Sequence, residues 1–231
     1  MISVVFENEN FIVCDKPPGV LSVPDRLGAK SERLCLGTEI ERQKNIRIFP
    51  VHRLDFEVSG LIIYAKNAQA HQQSQNWFLH RRIFKKYLAI SHAQNFDHTK
   101  KWPAQVLQSF KPHLLSPELG QKFVWKSKIL RGKKRTFAAE YGEWAETHAE
   151  LIVMEHMNYI WRLSPVTGKP HQLRFEMSQR GFPLLGDELY GSAFQPSKEL
   201  WPHGGLCLRA VELDLESIKE RFGLPEKITL N

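Results

Sequence analysis

The sequence predicts an α+β fold built on a mixed, mainly antiparallel sheet with flanking helices and loops. Three observations lead there. Short β-forming runs recur along the chain, helix signals are few, and the two do not alternate in the regular way of a parallel α/β protein. No repeat, heptad, low-complexity linker or shift of composition marks a boundary, so residues 1–231 are expected to form a single domain.

Val4 to Phe6 and Phe11 to Cys14 are β-like and flank Glu7-Asn8-Glu9-Asn10, which reads as a hairpin turn. Pro17 and Pro18 stop the second strand, because neither can donate to a ladder. Between residues 24 and 45, Leu34, Leu36 and Ile40 hint at a short helix. Ile46 to Val51 is β-like, Ser59-Gly60 reads as a turn, and Leu61 to Tyr64 as a buried strand. Asn67 suits an N-cap for a helix over residues 68–82, followed by a strand at Tyr87 to Ile90. Residues 94–147 carry little signal beyond a basic run. His148 to Met154 and Tyr159 to Leu163 read as a hairpin turning at Asn158. Pro170 suits a first helical position and Gly181 a stop; Leu173 and Met177 share a face between them. Residues 183–191 are turn-rich, residues 206–215 have strand character, and Glu216 to Phe222 reads as a short helix closed by Gly223.

The chain has 42% apolar and 25% charged residues, the composition of a globular protein with a real core. A formal charge of +7 favours a polyanionic partner, nucleic acid or anionic membrane, over a neutral one, although a merely basic protein has the same balance. Three scattered cysteines without a C-x-x-C pair suit a reducing compartment and give no zinc signature. No leader or membrane-length apolar run is present, so a cytoplasmic location is the default and no membrane partner is expected.

The stretch richest in chemistry is His52-Arg53-Leu54-Asp55, a polar cluster directly before the apolar strand. Groups on a loop held by a core strand are well placed for catalysis. By themselves they also fit an ordinary Arg–Asp pair. His52, His71 and His80 match no metal motif, Ser59 lacks a G-x-S-x-G frame, and phosphate-loop and dinucleotide fingerprints are missing. The second candidate is the run Lys126, Lys128, Arg131, Lys133, Lys134 and Arg135, flanked by Phe123, Trp125 and Phe137. Cations interleaved with rings suit irregular or single-stranded RNA; they equally suit a solvated hairpin edge.

His52-Arg53-Leu54-Asp55 with Ser59-Gly60-Leu61 resembles the H-R-L-D-x-x-T-S-G-L signature of RluA-type pseudouridine synthases. Further segments resemble that family in order: Asp15-Lys16-Pro17-Pro18-Gly19, Lys85-Lys86-Tyr87-Leu88-Ala89, Ala145-Glu146-Thr147, Thr167 to Arg174, and Gly186-Asp187 with Tyr190-Gly191. The resemblance implies the pseudouridine synthase fold around a central catalytic cleft, and isomerisation of uridine in tRNA or rRNA with neither cofactor nor metal. It assigns Asp55 as the catalytic carboxylate, as nucleophile or as base. Tyr87 would lie against the uracil and Arg174 would be the counter-charge. Arg53 would fill the space of a flipped-out nucleotide. His52, Lys85, Leu208 and the 126–135 run join the expected substrate contacts. Departures are Val58 for Thr, Lys169 for Arg and Arg209 for His. A monomer without a separate N-terminal RNA-binding domain is expected. The alternatives are a non-catalytic RNA-binding or RNA-folding factor on the same fold and, more remotely, a nucleoside glycosidase.

Overall fold

The computed structural model describes residues 2–93 and 112–230, with residues 104, 107 and 110 between them; the remainder of the weakly signalled 94–111 stretch lies outside the described residues. The chain divides into two compact units, one made of Met1–Lys85 with Arg209–Asn231 and the other of Lys86–Leu208.

The first unit is a mixed sheet. Strands β1 (Ser3–Glu7) and β2 (Phe11–Lys16) pair antiparallel as the sequence predicts. Asn8 closes their turn, its Oδ1 accepting from the amides of Asn10 and Phe11, both at 2.8 Å. Strand β2 pairs antiparallel with β4 (Ser59–Ala65), in which every residue is buried. The other edge of β4 is shared. β3 (Phe49–Pro50) takes Tyr64 and Ala65, and β10 (Leu208–Asp214) runs parallel to Ser59–Gly60. β11 (Lys227–Thr229) adds to β10. Helix α1 (Leu36–Lys44) buries Leu36 and Ile40; helix α2 (Ala68–Leu79) buries Ala70, Ser74 and Trp77, one per turn. Asn67 caps α2 as expected, accepting from Ala70 N at 2.8 Å. Trp77 packs on Phe11 with ring centroids 5.8 Å apart.

The second unit is an antiparallel sheet in the order β5 (Phe84–Ser91, counted here from Lys86), β9 (Asn158–Pro165), β8 (Glu143–Glu155), β6 (Lys122–Arg131) and β7 (Thr136–Ala138). Helix α3 (Gln172–Gln179) is buried on all sides although five of its eight residues are polar or charged. An element of that kind is stable only if its polar groups find partners. Ser178 donates to Tyr190 O at 2.7 Å, and Arg180 pairs with Glu176. Gly181, at φ +83°, ends α3 with Phe182 N bonded to Met177 O and Gly181 N to Ser178 O.

Four local expectations are corrected. Ser59 and Gly60 are strand, not turn, because β10 pairs with them. At φ +109°, Gly60 lies so close to β10 that an added Cβ would stand 2.2 Å from Ala210 O, so no side chain fits. Residues 216–222 form turns rather than a helix, since Leu215 N bonds to Glu226 O and draws the backbone toward β11. Helix α2 ends at Leu79, short of residue 82. Pro170 precedes α3, which begins at Gln172 after His171 in the left-handed region.

Candidate active site

The loop carrying Arg53 and Asp55 leaves the sheet where β3 ends. Val51 N still bonds to Ile63 O at 3.3 Å, but the Ile63 amide is taken at 3.2 Å by Nε2 of His52. The imidazole replaces the next backbone carbonyl of the ladder, so the chain turns away without orphaning a buried donor. His52 also stacks on Phe78, centroids 5.1 Å apart. To accept at Nε2 the ring must be neutral, and burial, with Lys85 nearby, pushes its pKa down to about 3. The folded form thus binds fewer protons than the unfolded chain between about pH 6.5 and pH 3, and stability falls as the pH drops through that window. The Tm of a His52→Gln variant is expected to be lower at neutral pH, yet to fall less steeply between pH 6.5 and 4.5. Parallel Tm–pH curves would exclude this role for His52.

Further bonds fix the loop. Ser22 Oγ donates to Leu54 O at 2.9 Å and accepts from Leu54 N at 3.0 Å; Tyr64 OH donates to Ser22 O at 2.7 Å. Val58 N bonds to Asp55 O at 3.1 Å, turning the chain into β4. Phe56 O accepts from Gly19 N at 2.8 Å and from Lys16 Nζ at 3.3 Å. Lys16 is fully buried at the end of β2, and its ammonium also donates to Pro17 O and Val20 O. Burial lowers its pKa to about 8, and the carboxylates of Asp55 and Glu57 oppose that shift. The Asp-Lys-Pro-Pro-Gly segment is therefore a clamp that holds the loop and sets a buried cation near Asp55. Arg53 is exposed and Asp55 half-buried.

In the second unit Arg174, only 2% exposed, holds Asp187 through two bonds, Nε to Oδ2 at 2.7 Å and Nη2 to Oδ1 at 2.8 Å. Its guanidinium lies 5.3 Å from the Tyr190 ring centroid. The Tyr190 hydroxyl accepts from Thr136 N at 2.6 Å and lies 3.2 Å from His171 Nδ1. Gln172 is the hub beside it. Its Oε1 accepts from Thr167 Oγ1 and Lys169 N, and its Nε2 donates to Glu146 O and Thr147 Oγ1. The Thr147 and Gln172 motifs are thus joined as one satisfied buried amide site. Tyr87 is buried in β5 opposite Leu163, and Leu208 is buried at the start of β10.

The basic run is divided between β6 and the β6–β7 turn. On β6 the exposed face carries Lys126, paired with Glu146, and Lys128, whose ammonium lies 5.5 Å from the Trp144 ring centroid. Arg131 bonds to Lys134 O inside the β6–β7 turn, where Lys133 and Lys134 are exposed, and Arg135 Nε donates to Leu189 O. The three departures are accommodated. Val58 is buried, Lys169 pairs with Glu143, and Arg209 pairs with Asp15 at 2.6 Å. Ser22 and Asp187 are additions to the expected site: nothing local marks Ser22, whereas Asp187 lies inside the Gly186-Asp187 and Tyr190-Gly191 motif.

Comparison with known proteins agrees with this layout. A family model described as RNA pseudouridylate synthase matches residues 10–179. The chain is 30% identical over 207 residues to the dual-specificity RNA pseudouridine synthase RluA of Vibrio vulnificus, covering 87% of this chain and 74% of that one. It is 28% identical over 196 residues to tRNA pseudouridine synthase C of Haemophilus ducreyi, covering 84% and 76%. It is 30% identical over 233 residues to ribosomal large subunit pseudouridine synthase D of Borreliella burgdorferi, covering 96% and 63%. Among solved structures, human RNA pseudouridylate synthase domain containing 4 superposes with TM-score 0.67 at 19% identity, over 99% of this chain and 88% of that one, and supports the fold. With a family model spanning β2 to α3 and these relatives, the chain belongs to the RNA pseudouridylate synthase family.

Proposed function

We propose that the chain isomerises uridine to pseudouridine in tRNA, rRNA or both, as a cytoplasmic monomer in which residues 1–231 serve as one catalytic domain. The N1–C1′ bond breaks, the uracil turns, C5 bonds to C1′, the C5 proton leaves to solvent and N1 takes up a proton, so the reaction is balanced without oxidant or cofactor. Asp55 is the carboxylate at the sugar, Tyr87 lies against the uracil and Arg174 supplies positive charge. Arg53, projecting from the same short loop, takes the place of the flipped nucleotide. Leu208, Lys85 and the exposed cations of the β6–β7 turn contribute to holding RNA. His52 acts by shaping the loop.

The observation that carries this reading is the family match over residues 10–179, which includes a loop clamped on both sides of Asp55 by Ser22 and Lys16. The relatives are named for tRNA, for the large ribosomal subunit and for dual specificity, which supports RNA as substrate without separating the two. The test is release of tritium from RNA labelled at uridine C5, with base analysis of the product. Tritium release with pseudouridine retained in the chain is expected. Free uracil would reassign the protein as a glycosidase, and binding without release would make it a non-catalytic RNA factor.

A further inference from the structure

The corner between α2 and β5 is unlike the rest of the first unit's surface. No acidic residue occurs between Glu57 and Asp97, while Arg81, Arg82, Lys85 and Lys86 cluster where α2 ends. Helix α2 closes with Arg82 N bonded to Trp77 O at 2.8 Å and Arg81 N to Phe78 O at 3.1 Å. This termination places its penultimate residue in the left-handed region, where glycine is the unstrained choice. Here the residue is Arg81, at φ +54°. A side chain kept in a disfavoured backbone state on an exposed turn points to a use for that side chain.

The turn is rigid. Trp77 and Ile83 are buried on either side of it, and Ser217 Oγ donates to Arg82 O at 2.8 Å. Arg81 and Arg82 are exposed, with no ion pair to either among the described residues; the Ser217 segment brings Glu216 as its nearest acid in sequence. Phe84 is 55% exposed and Leu79 74%. The turn is joined to the Asp55 loop through Phe78, whose carbonyl accepts from Arg81 N at 3.1 Å and whose ring stacks on His52, with the Lys85 ammonium 5.8 Å from its centroid.

We propose that Arg81, Arg82 and Phe84 form an RNA-docking surface that grips the strand flanking the target uridine, with guanidinium groups on phosphates and a base on the Phe84 ring. This rests on the reading of the protein as an RNA-modifying enzyme and adds where the substrate is held. Charge complementarity selects RNA: a cationic turn, on a segment that carries no acid of its own, meets phosphates, and an exposed ring meets a base.

Full-length protein and a uridine-containing RNA stem–loop are used for Kd at several salt concentrations, with Tm for each variant. Arg81→Gly relieves the backbone, so Tm is expected to rise by about 2–4 °C while Kd weakens. Arg81→Gly with Arg82→Ala is expected to lower the slope of log K against log salt by about 1.4, as for two lost single-strand phosphate contacts. Phe84→Ala is expected to weaken binding about 5-fold or more, and in turnover the loss falls on KM more than on kcat. A stabilised Arg81→Gly protein with unchanged Kd and salt slope would overturn the proposal, and so would wild-type protein that does not bind the stem–loop. Weakened binding by the variants in a protein that releases no tritium would uphold the surface while removing the isomerase reading. Tritium release by wild type, with variants that bind as wild type does, would do the reverse.

Discussion

Asp55→Asn is expected to lower uridine isomerisation by about 10³-fold or more while leaving the protein folded. The rate effect follows from chemistry: an amide has no charge to stabilise a developing cation at C1′, attacks poorly as a nucleophile and takes no proton. The loop is expected to keep its backbone path. Its fixing bonds run through Leu54 N and O, Asp55 O and Phe56 O, all backbone or neighbouring groups that the substitution leaves intact. Lys16 loses one of the two carboxylates that favour its charge and keeps its three carbonyl partners. The measurement is single-turnover tritium release beside thermal melting. Near-wild-type product formation by Asp55→Asn would remove Asp55 from the mechanism; a large fall in Tm would show that its role is structural.

The second large effect is expected from Arg174→Ala, which should cost about 3–5 kcal/mol together with most of the activity. The truncation strands the Asp187 carboxylate, 1% exposed, without the guanidinium that meets both its oxygens. It also empties the face of Tyr190 and leaves space in a fully buried helix. Arg174→Ala combined with Asp187→Asn should be less damaging than the sum of the single changes, because the second change removes the stranded charge. Denaturant unfolding of the four proteins in the cycle measures this. Additive costs, or a single-variant loss below about 1 kcal/mol, would mean that the pair does not anchor the helix.

Sequence signals were informative where structure is local. Asn67 capping α2, Gly181 ending α3 and the β1–β2 hairpin each depend on residues a few positions apart. Ser59-Gly60 misled because its partner, Arg209-Ala210, lies far along the chain, and the glycine is needed for close approach rather than for turning. Residues 216–222 have helix-forming composition, but pairing of Leu215 with Glu226 overrides it. Helix α3 shows little periodicity because no face of it is solvated. The Asp55 loop was readable as a motif. What holds it was not: Ser22 and Lys16 act through hydrogen bonds that leave no spacing pattern. The basic run was visible as composition, yet its members are divided: Lys126 and Lys128 share the exposed face of β6 beside Glu146 and Trp144, while Arg135, beyond the hairpin turn, reaches Leu189.

The bond between Ser59-Gly60 and Arg209-Ala210 also orders events during synthesis. The second unit is continuous from Lys86 to Leu208 and can close as soon as it has been made. The first unit cannot, since part of one edge of β4 waits for residues translated after all of the second. Until then the strand that follows the Asp55 loop stands with part of one edge open, so the nascent chain is exposed to misassociation and the Asp55 loop lacks one side of its frame. The frame of the Asp55 loop is therefore completed late, when the last strands of the chain dock.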